Sequence, residues 1–237
     1  MAELPASRAR APRGGSGEPT PAPLLEVIAL TPADAEAAQA GGADRLELVA
    51  EMSADGLSPS PSLAAAVVAA TDLPVRAMLR TSADFTACRA LGDLAEDLLA
   101  AGVDGLVLGF LDVGGDVDVS ACEEIAERTG GRPWTFHRAV DHARNPAGAW
   151  KTVLELPGVD AVLTAGSPHG VRAGWERLVT REPGWVLAGG GLTPELVPPL
   201  RAAGITAFHV GSTAREGNSW EAPVSAAAVA SWRSLLS

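Results

Sequence analysis

From Leu24 onward, short apolar runs alternate with Ala-rich stretches, and their recurrence sets the architecture. LLEVIAL, RLELVA, VRAMLR, GLVLGF, WTFHRA, AVLTAG, WVLAGG and AFHVGS read as strands beginning near Leu25, Leu46, Val75, Gly105, Trp134, Ala161, Trp185 and Ala207. Between them lie helix starts. Thr31-Pro32, Asn145-Pro146 and Thr193-Pro194 pair an N-cap with a first-turn proline, and Ser120 precedes CEEIAER. Gly41-Gly42, Gly102, Gly158 and Gly204 return the chain to the next strand, and the last helix falls within APVSAAAVASWRSLL. Each interval of about 21 to 30 residues holds one strand, one helix and a turn. The repeat predicts an α/β fold: a single (β/α)8 TIM barrel over residues 24–237, its strands parallel and its helices outside. An open doubly wound sheet is the alternative, but no reversal signal interrupts the units. Residues 1–23 combine Pro, Gly, Ala and Arg with almost nothing apolar to bury, and read as a disordered N-terminal tail.

Strand parity then sorts the side chains, because successive residues face opposite sides of a sheet. One parity collects Leu25, Val27, Leu46, Leu48, Val75, Ala77, Leu79, Trp134, Phe136, Phe208 and Val210, all apolar, as packing beneath helices requires. The other collects Glu26, Arg45, Glu47, Arg76, Arg80, Thr135, His137, Thr164 and His209, which should converge in the lumen. Barrel interiors are ordinarily filled by branched aliphatics, so this polar set must be mutually paired or must face a water-filled pocket. Glu26 and Glu47 against Arg80 is the expected pairing. Arg80, His137, Thr164 and His209 fall near the C-terminal ends of their strands, the face that carries active sites in such barrels; Arg45 and Arg76 begin theirs and belong to the opposite face. His137, with Arg138 beside it and Asp141 four residues on, brings acid, base and cation together locally. The candidate acid–base set is therefore Glu26, Glu47, Arg80, His137, Asp141 and His209. A second signal is AGGGLTPE, in which Gly189, Gly190 and Gly191 leave strand seven; with Gly211 and Ser212 after strand eight they occupy the usual anion-binding position, although glycines also serve tight turns. His142 and His169 lie in loop-like sequence and read as solvated.

Charge narrows the partners. Eighteen Lys and Arg against 29 Asp and Glu give a net charge of −11, which disfavours nucleic acid and anionic membrane surfaces. No run approaches the roughly 20 apolar residues of a bilayer span and no secretion signal is evident, so a cytoplasmic location is expected. Cys88 and Cys122 lack a CxxC spacing and read as reduced thiols in helical patterns. The expected partner is a small-molecule or anionic ligand in the barrel mouth.

LEV at 25–27, GGADRLEL at 41–48, DGLSPS at 55–60, MLR at 78–80, TFHRAVD at 135–141, LTAG at 163–166, AGGG at 188–191 and FHVGS at 208–212 together resemble the CutC copper-homeostasis family over nearly the whole chain beyond the tail. The resemblance implies a cytoplasmic, typically homo-oligomeric TIM barrel that binds or traffics copper. It also implies cysteines shortly after the LE of strand one and the EL of strand two, where this chain has Ile28 and Val49. Copper(I) prefers thiolate and thioether ligands. The soft or borderline donors here, Met52, Met78, Cys88, Cys122, His137 and His209, form no recognisable ligand spacing, and the metal ligands stay unknown. Two functions from different classes follow: copper homeostasis, or an enzyme using acid–base chemistry on a small phosphorylated or carboxylated metabolite.

Overall fold

The structure is a computed structural model that describes residues 22–237; the expected tail over 1–23 lies almost wholly outside them. Eight parallel strands, β1 (Leu24–Ala29), β2 (Arg45–Leu48), β3 (Val75–Met78), β4 (Gly105–Leu108), β5 (Trp134–Phe136), β6 (Val159–Thr164), β7 (Val186–Ala188) and β8 (Ala207–Val210), close in sequence order, β8 pairing with β1. Closure settles the choice against an open sheet. The outer layer comprises α1 (Pro32–Ala40), α2 (Pro61–Val68), α3 (Ala90–Ala100), α4 (Val119–Arg128), a short α5 (Ala139–His142), α6 (Pro146–Glu155), α7 (Val171–Leu178), α8 (Val197–Ala202) and α9 (Ala226–Leu236).

The local signals act as their chemistry demands. Thr31 and Asn145 accept from the backbone N–H groups of Asp34 and Gly148, with proline following each cap. The fourth helix begins earlier than Ser120, because the Asp118 carboxylate takes the Ala121 N–H. Thr193-Pro194 opens a single 3-10 turn that leads into α8. Cys88 lies in the β3–α3 loop and is exposed, contrary to the helical expectation, whereas Cys122 is buried on α4.

Two separate apolar clusters result. The large one fills the space between sheet and helices and contains the strand residues assigned there by parity. A small one, Ile28, Val49, Met78 and Val107, sits inside the barrel. Thr164 is the exception to the parity reading. Leu163, which shares the inward parity of Ala161, faces the lumen, while the Thr164 hydroxyl points outward and donates to Asp141. A register shift opposite Trp134 and Thr135 also places Asp160 as an extra residue in β6, and its carboxylate meets Arg76.

Candidate active site

The floor of the lumen is a closed set of ion pairs. Arg76 makes a two-pronged contact with Asp160, both distances 2.6 Å, and donates to Thr135 Oγ1. Arg45 lies across the β1–β2 ladder from Glu26 and its Nε stands 2.5 Å from Glu26 Oε2. The other Glu26 oxygen is 2.8 Å from Nδ1 of His209, its neighbour on β8. Burial by itself would raise the Glu26 carboxyl; Arg45 and His209 outweigh it and hold the group well below the ordinary range. This corrects the expected pairing with Arg80. Glu26 lies at floor level between two register neighbours, whereas Arg80 lies at the strand ends.

Above the floor is a cavity of about 270 Å³ at the C-terminal ends of the strands, with Glu47, Arg80, His137 and His209 in its lining. Nε2 of His209 stands 3.5 Å from Glu47 Oε2, and Glu47 Oε1 is buried without a hydrogen-bond partner among the described residues. Burial, reinforced by the negative charge of Glu26 and only partly offset by His209, pushes the Glu47 carboxyl up to about 7. Burial works against a charged His209, but the flanking Glu47 and Glu26 prevail and raise its pKa. His137 has the opposite environment. Burial first and the Arg80 cation second push it down to about 3, so it is a neutral imidazole. Its Nδ1 accepts the Ala139 N–H at 3.2 Å, and its buried Nε2 has no partner among the described residues.

Arg80 is 4% exposed, and its guanidinium donates to the carbonyls of Ala54, Asp55, Ser82 and Ala83 while lying 4.4 Å over the Phe85 ring. It braces the loops after β2 and β3. No carboxylate among the described residues lies within salt-bridge distance of it, although Asp55 and Asp84 act on it from further away. Asp141 belongs elsewhere: it accepts from Thr164 Oγ1 at 2.6 Å and from the Ala165 N–H at 2.8 Å, with Arg138 Nε at 3.3 Å. It ties α5 to the end of β6 and is absent from the cavity lining.

The glycines divide between two roles. A Cβ on Gly189 would fall 2.6 Å from Leu163 and 2.9 Å from the Cβ of His209, and one on Gly211 would fall 2.4 Å from the Trp220 ring, so these two are glycine for space. Gly190 and Gly191, at φ +90° and +74°, line the cavity, and their N–H groups donate to nothing among the described residues. Gly211 and Ser212 also line it.

Sequence reasoning missed several lining residues. Met78 has the same inward parity as Arg76 and Arg80, and Ile28 and Val49 continue the parity of Glu26 and Glu47, so those three were readable in principle. Met52, Phe85 and Trp220 come from the segments after β2, β3 and β8, where no period places a side chain, and the exposed His142 ends the short α5, where the sequence reads as a solvated loop. The described non-glycine residues with positive φ, Glu51, Asp55, Phe85 and Asn218, all lie in the loops after β2, β3 and β8 that frame this mouth. Strained backbone of this kind clusters at functional sites.

Fold and site together define a (β/α)8 barrel with a cavity at the C-terminal ends of its strands, lined in part by ionisable side chains. The chain belongs to the CutC family, whose sequence profile matches residues 23–214. A relative named copper homeostasis protein cutC homolog from Homo sapiens is 35% identical over 213 residues, covering 85% of this chain and 77% of its own. A family protein CutC of Klebsiella pneumoniae (strain 342) is 33% identical over 198 residues, 78% of each chain. The crystal structure of a CutC from Streptococcus agalactiae superposes with a TM-score of 0.71 at 22% identity, covering 80% of this chain and 98% of that one. Phosphoribosyl anthranilate isomerase from Thermus thermophilus shares the fold, with a TM-score of 0.59 at 18% identity over 90% of this chain and 98% of its own. Among the described residues no helix is long and apolar enough to cross a membrane.

Proposed function

We propose that the protein serves copper homeostasis, the role named for its human relative, and that it does so through a small-molecule site at the barrel mouth rather than through a thiolate copper site. The donor chemistry does not fit copper(I) held by thiolates. Ile28 and Val49 are apolar, Cys88 lies on an exposed loop, and Cys122 is buried on α4, where burial pushes its thiol up to about 12. Met52, Met78, His137 and His209 do share the cavity, but no group of three or more His, Cys, Asp or Glu among the described residues is arranged to hold a metal.

One observation carries the small-molecule reading. Glu47 Oε1 and His137 Nε2 are buried, unpaired and in the lining of the same cavity. A buried polar atom without a partner costs about 1–3 kcal/mol, and a ligand that bonds both recovers that cost. The ligand class is a small phosphorylated or carboxylated metabolite, drawn by the Arg80 guanidinium and bonded by the free N–H groups of Gly190 and Gly191, with acid–base chemistry at Glu47 and a hydrogen bond from His137. The test is genetic and biochemical. Copper tolerance of cells lacking the gene should return with the wild-type protein and fail to return with Glu47→Gln, while copper(I) titration under reducing conditions should show no binding tighter than a chelator blank. Full rescue by Glu47→Gln refutes the site, and tight stoichiometric copper binding restores the metal-binding reading.

A further inference from the structure

The two unpaired atoms of the cavity are not equivalent. Nδ1 of His137 accepts the Ala139 N–H, so in the neutral ring the proton is on Nε2, and Nε2 is the atom left free in the cavity lining. The charged and titratable groups around His137 are Arg80 from the end of β3 and Arg138 and His142 of the β5–α5 segment, with no carboxylate hydrogen-bonded to the ring. Burial and these cations make an imidazolium costly. His137 is thus a fixed hydrogen-bond donor and not a proton carrier. Glu47 faces His209 from β8, Glu26 from β1 and Arg45 from its own strand, and its free Oε1 is poised to exchange a proton near neutral pH.

A carboxylate base and a neutral imidazole donor lining one cavity can together remove a proton beside a carbonyl group: the base takes the proton, and the donor stabilises the oxyanion without giving up its own. Four of the five N–H groups of Arg80 are committed to backbone carbonyls, so it cannot clamp a phosphoryl group with two prongs. We propose that the mouth of this barrel enolises a short carbonyl compound bearing an α-hydrogen and an anionic group, with Glu47 as the base and His137 Nε2–H as the donor to the carbonyl oxygen. This inference rests on the small-molecule reading and deepens it. In the forward step Glu47 takes the α-proton, the C–H electron pair becomes the carbon–carbon double bond, and the carbonyl π pair moves to oxygen, which His137 holds by a hydrogen bond. In reverse, Glu47 returns a proton to carbon. The cavity volume suits a compound of a few carbons, and Ile28, Val49 and Met78 line the side that its carbon chain would face.

Solvent exchange tests the step without knowledge of the natural substrate. Dihydroxyacetone phosphate and hydroxyacetone are incubated with the protein in D2O, and loss of the carbon-bound proton signals is followed by NMR, with saturation transfer reporting whether each probe binds. Wild type should exchange dihydroxyacetone phosphate faster than protein-free buffer. Glu47→Gln should lower that rate by about 100-fold or more, and His137→Phe should lower the rate by more than it weakens the probe's saturation transfer. The wild-type rate should rise with pH through the Glu47 ionisation. Binding without excess exchange overturns the enolisation and leaves the small-molecule site standing. Neither binding nor exchange by either probe overturns both. Undiminished exchange in Glu47→Gln, with near-ultraviolet circular dichroism unchanged, overturns the assignment of the base.

Discussion

His209 Nδ1 lies 2.8 Å from Glu26 Oε1, on adjacent strands that pair residue for residue, and this contact joins the ion-paired floor of the barrel to the cavity above it. The opposite ring nitrogen reaches Glu47 at 3.5 Å. The same imidazole therefore feels two carboxylates, one held ionised by Arg45 and one held partly protonated by its surroundings. Replacing Glu26 by Ala would leave the half-buried Arg45 and the buried His209 without their shared anion. Loss of one partner of a buried pair costs about 3–5 kcal/mol, so Glu26→Ala should show a large drop in denaturant midpoint at constant slope. A midpoint within error of wild type would show that water replaces the contact.

Glu47 should make stability fall as pH rises. Its folded pKa, about 7, lies above the ordinary 4.5, so between those values the folded state binds more protons than the unfolded one, and ionisation costs stability across that window. Glu47→Gln removes the penalty. Its advantage over wild type should grow from pH 4.5 to 7, reaching on the order of 3 kcal/mol, and then level off. Urea titrations at several pH values check this; parallel curves for the two proteins would refute the buried protonated acid.

His137 acts in the opposite sense. Its folded pKa is lowered from 6.5 to about 3, so the unfolded chain binds more protons in that window, and its contribution is lost as pH falls below 6.5. His137→Gln should therefore flatten the acid limb of the stability curve. An unchanged limb would mean that the ring is charged in the folded protein.

The glycines of the β7 end should separate by mechanism. Gly189→Ala places a methyl group against Leu163 and the Cβ of His209, atoms that cannot step aside without moving β8. Gly191→Ala meets open space and suffers only from its φ of +74°. Gly191→Ala should cost about 1 kcal/mol and Gly189→Ala clearly more, about 1–3 kcal/mol from overpacking, as read from thermal melts. Equal losses would contradict the steric account.

Thiol accessibility offers a further check. Cys88 is exposed, whereas Cys122 is buried with its pKa pushed up to about 12. A thiol reagent should titrate one cysteine in the native protein and two in denaturant. Prompt native reaction at Cys122 would mean that α4 opens readily.

Much of this protein was readable along the chain. The strand runs and proline-marked helix starts establish the barrel, because backbone geometry and burial impose local periods that a sequence must display. Parity brought Glu26, Glu47, Arg80, His137 and His209 into the lumen for the same reason. It failed at Thr164, since polarity was read as a sign of facing inward when the hydroxyl had a partner in Asp141 outside the barrel.

What the linear order left open was decided by contacts between distant elements. Whether Arg80 meets a carboxylate or a ring of carbonyls, whether Asp141 faces the cavity or staples a loop, and which loop residues close the mouth all depend on the relative heights of strand ends. The separation of Glu47 from Glu26 in protonation, and of His137 from His209, is likewise tertiary. Identical side chains part company only when the fold gives one an opposite charge within hydrogen-bond reach and leaves the other buried without it.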